Sequence, residues 1–137
     1  MNGGTYEIAA VFSSGLHERL YSGLSLVVST AAEGKRCAAL AAFGGLAMFI
    51  DRELMQHAQE PDATPSLTWA GRDTFARSLA SLRDTALELD TLDVWACAAS
   101  VETMGLTESD VQDRGLKGVL STPRFLREAG AATLLFV

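Results

Sequence analysis

Leu92-Asp93-Val94-Trp95-Ala96-Cys97-Ala98-Ala99-Ser100-Val101-Glu102-Thr103-Met104-Gly105-Leu106 is the stretch from which the fold is read. An apolar run of strand length, Leu92 to Cys97, passes directly into a short helix-like segment from about Ser100 to Met104, closed by Gly105. Cys97 therefore stands where a strand hands over to a helix. In an open α/β sheet, sites form at the carboxyl ends of the strands. A thiol at a helix start is biased toward the thiolate, which is its reactive form. The competing reading is structural, because free cysteine is among the most buried residue types and is inert when enclosed.

The same alternation continues on both sides of this stretch. Upstream, Thr5 to Phe12 reads as a strand buried on both faces. Ser13-Ser14-Gly15 supplies a turn and an N-cap candidate. Leu16, Leu20, Leu24, Val27, Val28 and Ala31 then form one helical face that stops at Gly34. Arg36 to Phe43 is a second strand, whose alanines suit close helix packing on both faces. Gly44-Gly45 opens a helix running to about His57, with Leu46, Ile50, Glu53, Leu54 and His57 on one side and Met48 and Met55 nearly opposite. That second apolar face suits either a subunit contact or a core gap. Pro61 and Pro65 mark an irregular, mobile loop, either a lid or a connector. Asp73 to Leu89 is the clearest helix, with Phe75, Leu79, Leu82, Ala86 and Leu89 as its stripe and Asp73 paired to Arg77. Trp69 stands just before it, placed to pack against its start or to line a pocket.

Downstream, Thr107 with acidic residues in the following turn marks another helix start. Leu116 to Ser121 reads as a fourth strand, Thr122-Pro123 as a helix start and Ala132 to Val137 as a final strand. The order β-α-β-α-β-α-β-α-β predicts an α/β fold. Its five-stranded sheet is mainly parallel, with right-handed crossovers and helices on both faces, in a single domain over residues 1–137. That topology brings Ser13 and Ser14, Gly44 and Gly45, Cys97 and Thr122 to the carboxyl ends of successive strands. Of these, only Cys97 is a strong nucleophile.

Composition narrows the function classes. The chain has 137 residues, 48% hydrophobic and 20% charged, with a net charge of -6. This is a globular composition. Lys and Arg form no run, so nucleic acid is not the expected partner. No apolar stretch reaches membrane-spanning length, and Met1-Asn2-Gly3-Gly4 lacks the pattern of a signal peptide, so a cytoplasmic protein with reduced thiols is expected. Cys37 and Cys97 are too distant in sequence for a metal knuckle or a CxxC pair, and a disulfide between them stays open. Phe43-Gly44-Gly45 lacks the spacing of a dinucleotide or P-loop fingerprint. His17 and His57 fit helix positions better than a catalytic role.

The run from Val94 to Val137 resembles the DsrE/DsrF family of small sulfur-handling proteins. The residues that carry the likeness are Val94 to Leu106 as quoted, then Gly118-Val119 and Ala132-Thr133-Leu134-Leu135-Phe136-Val137. Phe43-Gly44-Gly45-Leu46 is similar to the family's turn after its second strand. The resemblance implies a three-layer α/β/α sandwich that assembles into dimers, trimers or hexamers. It also implies that the cysteine at Cys97 accepts sulfane sulfur as a persulfide and passes it to an acceptor thiol, with no cofactor or metal. Ser100 and the backbone N–H groups after Cys97 would steady the anion, because no basic residue adjoins Cys97 in sequence. Two other readings stand beside this one. One is an oligomeric interaction or scaffold protein with an idle Cys97. The other is monothiol redox work from the CxxS spacing of Cys97 and Ser100.

Overall fold

The computed structural model describes residues 5–137, the side chain of Trp69 excepted. The Met1–Gly4 stretch, and the role suggested for Trp69, therefore lie outside the described residues. Five strands form one sheet: β1 (Ile8–Phe12), β2 (Cys37–Ala41), β3 (Leu92–Cys97), β4 (Val119–Leu120) and β5 (Thr133–Phe136). All pair in parallel, in the order β4-β3-β2-β1-β5. The helices are α1 (His17–Ala32), α2 (Phe43–Ile50), α3 (Leu54–His57), α4 (Trp69–Glu88), α5 (Ala98–Thr103), α6 (Glu108–Gln112) and α7 (Thr122–Ala129). No helix among the described residues is long and apolar enough to cross a membrane.

The strand order explains why the two faces are covered unequally. From β1 to β4 the chain steps across the sheet in one direction. Right-handed crossovers then put α1 to α6 on the same face. The return from β4 to β5 runs the other way and carries α7 to the opposite face. The packing agrees. Phe12, Ala39 and Val94 share a core with Leu24 of α1, Phe49 of α2, Leu79 of α4, Val101 of α5 and Val111 of α6. Ala9, Leu40 and Cys97 pack instead with Phe125 and Ala129 of α7. The sandwich is three-layered, but one layer is a single helix of 8 residues.

The apolar stripe of α1 is buried as its spacing predicts, and Gly34 follows its end with φ +91°. Only Leu16 departs, as an exposed N-cap. The helix expected from Gly44 to His57 is broken at Asp51 into α2 and α3. The cause is a set of arginines from distant elements. Arg83 Nη1 donates to the carbonyls of Met48 at 2.7 Å, Phe49 at 3.3 Å and Asp51 at 2.9 Å. Arg114 Nε donates to Ile50 O at 3.1 Å. These bonds satisfy the carbonyls a helix end leaves open. The break also removes the supposed second apolar face: Met48 is buried in the core, and Met55 alone is exposed.

The Pro61–Pro65 loop is hydrogen-bonded to the elements on either side of it. His17 N donates to Ala63 O at 2.8 Å, and Glu18 accepts from the N–H and hydroxyl of Ser66. Buried Thr64 accepts from Arg72 Nε. Those bonds tie the loop to α1 and α4, on the face away from α7. The fourth strand is also shorter than expected, Val119–Leu120, and its outward Val119 N–H donates to Glu108.

Candidate functional site at the carboxyl edge of the sheet

Cys97 closes β3 and is the N-cap of α5, with extended backbone (φ -69°, ψ 127°). Along β3 the side chains alternate. Asp93, Trp95 and Cys97 lie toward α7, while Leu92, Val94 and Ala96 enter the α1 side. Cys97 pairs with Leu120 of β4. The helix after β3 lies on the α1 face and the helix after β4 on the α7 face. The crevice between β3 and β4 is therefore where successive connections diverge, the place where ligands bind in open α/β sheets. Cys97 stands on one side of it, and Ser121 and Thr122 begin α7 on the other. The sulfur is well covered in the single chain, with Cys97 only 6% exposed.

The other residues expected at this edge form a row bound mainly through the backbone. Ser100 is fully buried, and its Oγ accepts from Phe43 N at 2.9 Å, tying the end of β3 to the end of β2. Phe43 takes a left-handed conformation, φ 44°, which costs a non-glycine residue energy and needs such an anchor. Ser100→Ala leaves this N–H without its acceptor. A loss of about 1–2 kcal/mol is expected, measured by urea denaturation. Gly44 and Gly45 permit close approach. A Cβ on Gly45 would stand 2.0 Å from Phe12 O, and one on Gly44 would stand 2.5 Å from Ser14 O. Ser13 N and Ser14 N both donate to Val137 O, and Ser14 Oγ accepts from Leu16 N. Thr122 is exposed in the first turn of α7, where Ser121 Oγ accepts from Arg124 N. The row Ser14, Gly44, Phe43, Ser100, Cys97 is thus continuous, and its serine oxygens and glycines are engaged in holding strand ends to helix starts.

Cys37 lies at the opposite end and on the opposite face. It pairs with Leu92 at the start of β3, five residues before Cys97. That spacing is about 16 Å along a strand, beyond disulfide reach. Both thiols are free. Burial pushes the Cys37 thiol up, and its Sγ lies 3.6 Å from Lys35 O.

Sequence reasoning missed a polar cluster at the amino end of the same face. Asp93 is buried, and its Oδ2 accepts from Tyr6 OH at 2.5 Å and Arg36 Nη2 at 2.8 Å. Lys117 Nζ lies 3.0 Å from Oδ1. Arg36 also stacks over the Tyr6 ring at 4.6 Å. Burial pushes the Asp93 carboxyl up, but the bonds from Tyr6, Lys117 and Arg36 outweigh it and hold the group below its ordinary value. Burial, then the bond to Asp93, raises the Tyr6 phenol. The available signal was Asp93 itself, a carboxylate within an otherwise apolar strand.

His17 opens α1 just past the carboxyl end of β1, and its buried Nδ1 has no hydrogen-bond partner among the described residues. His57 Nδ1 is 2.6 Å from Asp51 Oδ2, a bond that raises its pKa. Burial lowers that of His17. No group of three or more metal-ligating side chains occurs among the described residues. The chain matches no protein-family model and no curated protein.

Proposed function

We propose that this protein is a sulfur carrier that holds sulfane sulfur as a persulfide on Cys97. The observation that carries the reading is the position of Cys97: a free thiol closing the strand beside the crevice where the connections diverge. The resemblance of Val94–Val137 to sulfur-handling proteins supplies the chemistry. The Cys97 thiolate attacks the outer sulfur of a donor persulfide, RS–SH. A Cys97–S–SH bond forms and RS⁻ leaves. An acceptor thiolate then attacks the same outer sulfur, takes it as its own persulfide and returns Cys97 as thiolate. No net oxidation occurs, and no metal or cofactor enters. Homo-oligomeric assembly, a relay partner and a cytoplasmic setting belong to the same reading.

One observation favours a second reading, an interaction protein with an idle thiol. Cys97 is packed with Leu40 and Phe125, and the Ser100 oxygen beside it accepts from Phe43. Intact mass spectrometry after incubation with glutathione persulfide separates the two. A reducible gain of about one sulfur, present in wild type and Cys37→Ser and absent in Cys97→Ser, is the expected result. No gain, with Cys97 also resistant to alkylation in the folded state, overturns the carrier reading in favour of the second.

A further inference from the structure

Among the described residues, the outer edge of β5 is open and apolar in a way the other edge is not. At the β4 edge the strand is 2 residues long, and its Val119 N–H is taken by Glu108. At the β5 edge, Thr133 N donates to Glu7 O, Val137 N to Val11 O, and Val137 O accepts from Ser13 N. Backbone polar groups alternate along a strand. Those of residues 133, 135 and 137 therefore face β1, and those of Leu134 and Phe136 face outward. The side chains of these two residues are also exposed, Leu134 at 57% and Phe136 at 73%. On the α1 side, Leu26 lines a cavity of about 220 Å³ with Leu135, Phe136 and Val137, and is itself 58% exposed. No charged residue interrupts the strand, Thr-Leu-Leu-Phe, although native edges are commonly guarded by charge.

We propose that this edge pairs with β5 of a second copy, antiparallel about a two-fold axis at Leu135, joining the two sheets into one. The hydrogen-bond pattern selects this occupant and this register. With Leu135 opposite its own counterpart, each Leu134 faces a Phe136 across the axis, and all the outward N–H and C=O groups of both residues find partners. A register centred on Leu134 would set Phe136 opposite Ala132 of the other copy, whose N–H is already given to Ala129 O. In the register centred on Leu135, Leu134 and Phe136 become cross-strand neighbours on the α7 face, where apolar pairs stabilise a sheet. The exposed parts of Leu26, Leu134 and Phe136 supply less than the roughly 800 Å² per partner of a standard interface. A dimer built on this edge is accordingly concentration-dependent.

The test is independent of sulfur chemistry and holds or fails whichever way the persulfide experiment comes out. Analytical ultracentrifugation of the whole chain across a concentration series should show a mass that doubles as concentration rises. The double variant Leu134→Lys with Phe136→Lys places charge only where side chains are already exposed, and should stay a single chain with an unchanged circular dichroism spectrum. Leu135→Cys tests the register. Non-hydrogen-bonded antiparallel partners have Cα atoms about 4.5 Å apart, within disulfide range. Mild oxidation should link 135 to 135 between copies, as read by peptide mapping. A single chain at the highest attainable concentration overturns the proposal. So does a dimer that persists in the lysine variant, or one in which Leu135→Cys fails to cross-link.

Discussion

Gly45→Ala is expected to cost about 3 kcal/mol or more, the upper range for overpacking. The new methyl would stand 2.0 Å from Phe12 O, 2.5 Å from Phe12 C and 2.9 Å from Phe12 Cβ. Two of these are backbone atoms of the buried end of β1, and no side-chain rotation relieves the clash. Phe12 O also accepts from Ala42 N at 2.8 Å, the bond that seats the start of α2. Moving one end therefore breaks the other. The control is Gly15→Ala, where nothing lies within 4 Å of the added carbon. That change should stay within about 0.5 kcal/mol of wild type. Urea denaturation of the three proteins side by side measures the difference. Equal midpoints for Gly45→Ala and Gly15→Ala would show that the close approach at β1 does not hold.

Asp93→Ala is expected to cost about 3 kcal/mol, near the low end of the range for breaking a buried ion pair. The low end applies because the cations keep partial access to water: the side chains of Arg36 and Lys117 are 34% and 56% exposed, against 6% for Asp93. The larger part of the loss comes from Tyr6, whose buried hydroxyl gives up a charge-assisted bond of about 1.5–3 kcal/mol. The cluster also sets a pH dependence. The folded-state pKa of Asp93 is lowered, so its stabilisation is fully present above the unfolded value, about 3.9, and is lost as pH falls through the folded value. Asp93→Asn removes this acid limb. The stability gap between wild type and Asp93→Asn should be widest near neutral pH and shrink in strong acid. A gap that stays constant down to the acid limit would exclude ionised Asp93 as its source.

Much of the fold was legible because the decisive signals are local. β3 runs from Leu92 to Cys97 as its apolar run predicts, and the Thr107 cap forms a reciprocal box with Asp110. The alanines of β2 are buried on both faces, where larger side chains would hold the helices off. The pairing of Asp73 with Arg77 depends only on helix geometry and is present at 2.5 Å. The candidate cysteine was legible for the same reason, since the change from strand to helix at Cys97 is written in consecutive residues.

What the sequence alone determined, then, was the set of parallel βα units and the placing of Cys97 at a carboxyl end. Both follow from periodicity and turn chemistry within a few residues. Tertiary structure decided the rest, through contacts between residues far apart in the chain. Arg83 and Arg114 end α2 from 32 or more residues away. Arg83 lies on the buried stripe of α4 and Asp93 within an apolar strand. Each is an anomaly whose partner only the fold supplies, because burying a charge is tolerated only where the chain brings a counter-group to it. The strand order decided that, among the described elements, α7 alone covers the second face and β5 is left as an open edge, and that the β3–β4 crevice falls beside Cys97. No local pattern encodes that order, since each βα unit is compatible with a place on either side of its predecessor until all the apolar faces are buried together.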